Sequence, residues 1–348
     1  MKKTRTRILS LVLALVMVFS MFPVTTLAAE ETETAATLDY PIWDFNDATF
    51  SGNNGTLADG TAVSKNSRVV FSNGSFTFAR YANNLQSSDA ILNGDYTVQF
   101  DVAFDEEMIA HCSPTSGTAT ASPEGEENFN SGFYFLPLDH SSAKYNYRVH
   151  LNPESGLRFG TSGNWYTCPA DVAPSDAVTS DVPTSFEREV PYSVKVAKID
   201  STIKIKVWAA SETEPDVWNI EYTNDYIGTM NEYRLKLRSV LIDSDAGDKG
   251  FTVSNILYTK PVTAAVTVNG EAAEEVTLAD TNAVQVAVAL TGEAFDEGAM
   301  PARTADAPTY TVDQDFVSVD ADGYVKVVDG AAMANGGKAN VVASFGDF

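Results

Sequence analysis

Tyr192-Ser193-Val194-Lys195-Val196 and, a few residues on, Thr202-Ile203-Lys204-Ile205-Lys206-Val207-Trp208 decide the fold class. In the first run Tyr192, Val194 and Val196 alternate with Ser193 and Lys195. In the second, Ile203, Ile205 and Val207 alternate with Lys204, Lys206 and Trp208. A period of two puts one apolar face and one wet face on each run, which is the pattern of a half-buried antiparallel strand. Trp208 falls on the polar phase, so it is either a surface platform or a residue covered by something else.

The same period recurs along the chain. Tyr96, Val98, Phe100 and Val102 alternate with Thr97, Gln99 and Asp101. Tyr145, Tyr147, Val149 and Leu151 alternate with Asn146, Arg148 and His150, and Leu235 and Leu237 with Arg234, Lys236 and Arg238. Asn54-Gly55, Asn73-Gly74 and Asn93-Gly94 read as hairpin turns, because Asn and Gly both tolerate positive φ. No stretch of ten or more residues beyond the N-terminal segment keeps a helical period, so the expected fold is all-β. Two long irregular segments interrupt the strands, 105–130 and 161–190. Loops of that length in a compact domain are usually functional or disordered.

Composition narrows the function. The 348 residues carry Lys+Arg 23 against Asp+Glu 47, a formal net charge of -24. That excess repels phosphate backbones and anionic lipid surfaces, which argues against nucleic acid and membrane partners. Three histidines and two cysteines leave little for a zinc site, and no resident metal or cofactor is expected. Lys2, Lys3, Arg5 and Arg7 precede an apolar run from Ile8 to Phe22, with small residues at Thr26, Ala28 and Ala29. This is a secretory signal peptide over 1–29. The run is shorter than the roughly 20 residues of a membrane span, so no membrane insertion is expected after cleavage. Loss of the four cations takes the formal charge from -24 to -28. Export also brings Cys112 and Cys168 into an oxidising medium. A bridge between them would stabilise by about 3–4 kcal/mol in the chain-entropy model; two separate thiols are the other reading, and both stand.

Residues 30–38, with Glu30, Glu31 and Glu33 among Thr and Ala, form an acidic linker. A domain boundary falls near Lys260-Pro261. Beyond it the chain turns to Ala, Val, Thr and Asp, with only Arg303, Lys326 and Lys338 as cations. Trp43, Trp165, Trp208 and Trp218 all lie before it.

Residues 39–260 resemble the concanavalin A-like lectin/glucanase superfamily in its laminin G-like branch. The matching pieces are Trp43-Asp44-Phe45, Gly94-Asp95-Tyr96 through Val102, Pro191 through Val196, Thr202 through Trp208, Pro215-Asp216-Val217-Trp218 and Phe251 through Ile256. The resemblance implies a jelly-roll sandwich of two curved antiparallel sheets. Residues 261–348 resemble bacterial immunoglobulin-like domains of the invasin/intimin type, through Phe316 to Val327 with its Asp322-Gly323 turn, and through Gly337 to Ala343. The second resemblance implies a spacer and adhesion module without chemistry of its own, and a bacterial, secreted or cell-surface protein with further domains.

The glucanases of the first superfamily carry Glu-x-Asp-x-x-Glu on one strand, which aims acid and nucleophile into one cleft. Here only Glu214-Pro215-Asp216 begins the pattern, and Asn219 stands where the second Glu belongs. Pro215 also disfavours a central strand. No other catalytic motif is found, and a non-catalytic role is expected. Asp243, Asp245 and Asp248 offer oxygens to a structural calcium ion, but their spacing fails the EF-hand loop and an acidic turn is preferred. Sugar rings stack on aromatic faces while polar side chains fix their hydroxyls. Trp165 and Tyr166 sit in a Gly/Ser/Asn loop, and Arg148, His150 and Arg158 sit on or near a wet strand face. These five are the candidate sugar site. The expected function is a carbohydrate-binding module for an extracellular glycan, with an Ig-like spacer. The alternatives are an adhesive stalk that meets a protein, and the accessory end of a glycoside hydrolase whose catalytic domain lies beyond residue 348.

Overall fold

The computed structural model describes residues 36–45, 48–57, 62–65, 69–78, 83–87, 92–106, 130–137, 147–161, 173–228, 233–240, 250–273, 275–276, 278, 282–295, 307–328 and 337–345. They group into two compact units. One spans Pro41–Lys260, and the other gathers Pro261–Phe348 with the chain up to Tyr40.

Strands account for nearly all the regular structure. In chain order they are β1 Ala36–Asp44, β2 Thr49–Ser51, β3 Asn54–Thr56, β4 Ala62–Lys65, β5 Val69–Ser72, β6 Ser75–Phe78, β7 Asn83–Ser87 and β8 Tyr96–Phe104. Next come β9 Asn130–Pro137, β10 Tyr147–Asn152, β11 Gly156–Thr161, β12 Val178–Thr179, β13 Tyr192–Ile199, β14 Thr202–Ala209 and β15 Ile220–Thr223. A four-residue helical turn, α1 Asp225–Gly228, precedes β16 Tyr233–Val240 and the long β17 Phe251–Val268.

The 41–260 unit is an all-β, jelly-roll sandwich. One sheet runs β12-β15-β14-β13-β8-β17, continued by β6 and β5; the other runs β11-β10-β9-β16-β7-β4-β3-β2. The ladders are antiparallel, and β13 and β14 pair in full register from Tyr192↔Ala209 to Ile199↔Thr202. Alternation therefore brings Val194, Val196, Ile203, Ile205 and Val207 to one face, where all are buried. Rings from the two sheets meet between them: Phe159 lies 5.6 Å and Tyr147 6.2 Å from Tyr222, and Phe50 lies 5.2 Å from Phe71 and 5.6 Å from Phe76. Trp43, 2% exposed, packs against Tyr258 at 5.3 Å. Burial of this kind contributes about 1.5–3 kcal/mol per large apolar side chain.

The turns depart from expectation at two places. Asn73 and Gly74 both take positive φ and close the β5–β6 hairpin. Asn54-Gly55, however, lies inside β3, and the turn before it is made at Gly52 and Asn53. Asn93-Gly94 leads from the β7 sheet into β8 of the other sheet, so it joins layers rather than neighbours.

The second unit is also all-β. Its strands are β18 Glu271–Ala272, β19 Val284–Thr291, β20 Thr309–Val312, β21 Val317–Val319, β22 Tyr324–Val327 and β23 Val341–Ser344. β19 pairs with Thr263–Val268 of β17 and with β22, β22 with β21, and β20 with β23. Val266, Val268, Leu278, Val286, Val317, Val325 and Val341 belong to its core. Asp322-Gly323 makes the expected β21–β22 turn, with Gly323 at φ 79 and no room for a Cβ, which would lie 2.2 Å from the Val286 carbonyl oxygen.

Candidate functional site

The side of the β11-β10-β9-β16-β7 sheet that turns away from the core carries the candidate residues. The core side takes Tyr147, Val149 and Leu151 of β10, Leu157 and Phe159 of β11, and Leu235 and Leu237 of β16, all buried. Directly paired residues share a face. His150 of β10 is opposite Arg158 of β11 and Gly132 of β9; Arg148 is opposite Gly160 and Tyr134. On the next strand Lys236 is opposite Tyr134 and Gln86, and Arg238 is opposite Gly132 and Asn84. One polar face thus crosses five strands, ordered by ladder hydrogen bonds on both sides of every inner strand.

The structure brings Arg148, His150 and Arg158 together, and corrects their exposure. The alternation of β10 gives Arg148 and His150 a wet face; both are 2% exposed. Every residue of β10 is buried, on both sides of the strand. Two-sided burial of this kind is invisible to a two-period reading, which separates polar from apolar but not covered from open. Arg158 and Lys236 are half-buried. Burial pushes the His150 imidazole well below its ordinary value, and the Arg148 and Arg158 guanidiniums press the same way, so the ring is neutral at pH 7. Trp165, Tyr166, Cys112 and Cys168 lie outside the described residues, as do Asp243, Asp245 and Asp248.

The turn between β10 and β11 fixes the register of this face. The Asn152 Oδ1 accepts the backbone N–H groups of Glu154 at 2.9 Å and Ser155 at 3.0 Å. Gly156 then adopts φ 72, and a Cβ there would lie 1.9 Å from the Pro183 carbonyl oxygen. That close approach lets the Leu157 N–H donate to Pro183 at 2.8 Å, and Arg188 reaches back to Glu154 at 3.3 Å.

A second polar surface lies on the outer side of the other sheet. The Lys206 ammonium, in a residue 5% exposed, stands 4.6 Å from the Trp218 ring centre and 6.0 Å from that of Trp208. It donates to the Pro215 carbonyl at 2.7 Å and pairs with Glu214 at 2.6 Å, while Lys195 pairs with the same carboxylate at 3.1 Å. Trp208 is half-buried beside this lysine. Partial burial pushes the Glu214 carboxyl up, but the hydrogen bonds from Lys206 and Lys195 outweigh it and hold the group below its ordinary value. A carboxylate kept ionised by two ammonium groups is not poised to deliver a proton. Asn219, at the place of a second carboxylate, is occupied structurally: its Oδ1 accepts the Val207 N–H at 2.7 Å and its amide donates to Ser180 and Asp181.

Lys236, with Arg234 and Arg238 beside it in β16, joins the face from outside the five candidate residues. The alternation of those cations is plain in sequence. What the sequence does not carry is that β16 lies one strand away from β10, with β9 between.

No family model matches the chain, and no curated protein does. Among solved structures it is similar to a mutant form of the Emp46p carbohydrate recognition domain (11% identity, 62% of this chain and 97% of that one, TM-score 0.39). It is likewise similar to lectin II from Ulex europaeus (10% identity, 65% and 98%, TM-score 0.34). A third is a mutant of Trypanosoma rangeli sialidase displaying trans-sialidase activity (12% identity, 62% and 30%, TM-score 0.37).

Proposed function

We propose that the chain is a secreted carbohydrate-binding protein whose 41–260 unit holds a glycan on the polar face of the β11-β10-β9-β16-β7 sheet. One observation carries this reading. Arg148, His150, Asn152, Arg158 and Lys236 stand in register on three strands of one face whose reverse is apolar core. Such a face gathers hydrogen-bonding groups on a rigid sheet, which suits a ligand made of hydroxyl groups. Stacking and hydrogen bonds that trade against water give modest affinity per contact. In this reading Trp165 and Tyr166 add the stacking surface from the connection that follows β11. Residues 1–29 direct export, Cys112 and Cys168 pair across their loops, and 261–348 serve as an immunoglobulin-like spacer in a bacterial surface or glycan-degrading protein.

A glycan array probed with the full chain tests the reading. Binding to a defined set of glycans is expected, and Trp165→Ala is expected to abolish it without lowering the melting temperature. An array with no bound glycan at all would refute the function. Unfolding caused by Trp165→Ala would instead make that residue part of the core.

A further inference from the structure

Asn-Gly pairs shape turns in this chain, and the same pairs are open to a reaction of the backbone with its own side chain. Glycine has no Cβ to shield its amide nitrogen, so that nitrogen can reach the Cγ of the preceding asparagine. Five such pairs occur: Asn54-Gly55, Asn73-Gly74, Asn93-Gly94, Asn269-Gly270 and Asn335-Gly336. The last lies outside the described residues. The other four share a dipeptide and differ in their surroundings.

Two of them sit in the same kind of turn. Asn73-Gly74, at φ 51 and 76, is a two-residue loop closed by the Ser72↔Ser75 pair. Asn269-Gly270, at φ 51 and 86, is a two-residue loop closed by Val268↔Glu271. Asn269 is pinned to β19: its Oδ1 accepts the Gln285 N–H at 3.0 Å, and its own N–H donates to the Gln285 carbonyl at 2.8 Å. Asn73 is exposed, and its side chain makes no hydrogen bond among the described residues. The strand that leads into it, β5, pairs only with β6 among the described strands, so this hairpin opens at low cost. Asn54 is held from both sides, opposite Ser51 of β2 and Ser64 of β4. Asn93 is half-buried, with its Oδ1 cut off from solvent.

From this contrast we propose that Asn73 is a modification site, where the chain deamidates spontaneously, and that the matching turn at Asn269 is protected by its bonds to Gln285. The Gly74 nitrogen bonds to the Asn73 Cγ, the Cγ–Nδ2 bond breaks, and ammonia leaves with the proton that Gly74 gives up. Water then opens the five-membered imide at one carbonyl or the other, giving isoaspartate or aspartate. Nothing is oxidised or reduced, and water is the only co-reactant. Either product adds one negative charge at pH 7. Isoaspartate also routes the main chain through Cβ and lengthens it by one atom, which a two-residue loop cannot absorb while keeping its closing pair. The disturbance falls first on Ser72↔Ser75 and then on the Phe71–Phe76 contact at 4.6 Å behind it.

The test incubates the full chain in mildly alkaline buffer, digests it with trypsin and follows the gain of one mass unit in each Asn-Gly peptide; Val69–Arg80 carries Asn73. A parallel sample in urea gives the rate of each site without structure, and the folded rate is divided by it. On that scale Asn73 should react at least about tenfold faster than Asn269, the ratio expected when hydrogen bonds must first be given up. It should also outrun Asn54 and Asn93, and isoaspartate should be found in Val69–Arg80 by electron-transfer fragmentation. Equal scaled rates at Asn73 and Asn269, or a faster site at Asn54, Asn93 or Asn269, overturn the proposal. So does an Asn73 that stays intact in the folded chain while it reacts in urea, because the turn itself then shields it.

Discussion

At the level of one residue, His150 has the clearest consequence. An unfolded histidine takes up its proton near 6.5, whereas folded His150, buried and flanked by Arg148 and Arg158, does so well below that. Between those two values the unfolded chain binds more protons, so acidification favours unfolding. The folded state loses about 1.4 kcal/mol per pH unit below the unfolded value, until the folded one is reached. His150→Gln keeps a polar side chain and removes the titration. The unfolding free energy in urea should therefore fall more steeply from pH 7 to pH 5 in the unaltered chain than in His150→Gln. His111 and His140 are common to both proteins and cancel in the difference. Parallel slopes would mean that the imidazole is not held neutral by its surroundings.

Among the elements, Asn219 shows how a side chain joins strands that the backbone alone would leave loosely held. β12 is two residues long and pairs with β15 through Val178↔Glu221 and Thr179↔Ile220. Asn219 adds donors to Ser180 and Asp181 just after it, and accepts from Val207 of β14. Asn219→Ala leaves the buried Val207 N–H without its acceptor and takes a donor from the more open Ser180 and Asp181 carbonyls, a loss of about 1–3 kcal/mol. Faster amide exchange should appear first around 178–181; unchanged exchange there would show that β12 is held by other contacts. The same elements explain what is legible in the sequence. Val194, Ile203 and Ile205 sit in strands whose period-two pattern shows directly. The Asp322-Gly323 turn is local, and it is readable for the same reason. Asn54-Gly55 has the right residues for a turn, but Phe50↔Gly55 pairing places it inside β3. Asn269-Gly270, both at positive φ, makes the β17–β18 turn from the same residue pair, outside the three turns read from the sequence. The site is half legible. Arg148, His150 and Arg158 are neighbours through one hairpin, a short-range pairing. Lys236 joins the same face across β9 from 78 to 88 positions further along the chain, and no local pattern encodes that.

Over the whole molecule, two electrostatic effects of opposite sign coexist. A formal charge of -24 makes the folded chain repel itself, and this destabilises the compact state. The 261–348 stretch shares in it, with Arg303, Lys326 and Lys338 its only cations. Asp313 is one acid there that folding stabilises in the charged form: Asn340 donates to it from both backbone and amide at 2.7 Å and holds its carboxyl below the ordinary value. Its contribution is present above the unfolded value of 3.8 and fades as pH falls through the lower folded one. Such local donors stabilise single carboxylates and leave the net negative excess in place. Added salt screens the resulting repulsion within about 10 Å at 0.1 M, so the unliganded chain should gain stability as salt rises. A gain of about 1 kcal/mol corresponds to a shift of about 2–4 °C for a domain of this size. The melting temperature should accordingly increase between 20 mM and 300 mM NaCl. A melting temperature that drops with salt would mean that attractive pairs such as Lys204–Glu221 at 2.9 Å and Lys206–Glu214 outweigh the net charge. Stability would then be set by local ion pairs rather than by the net charge.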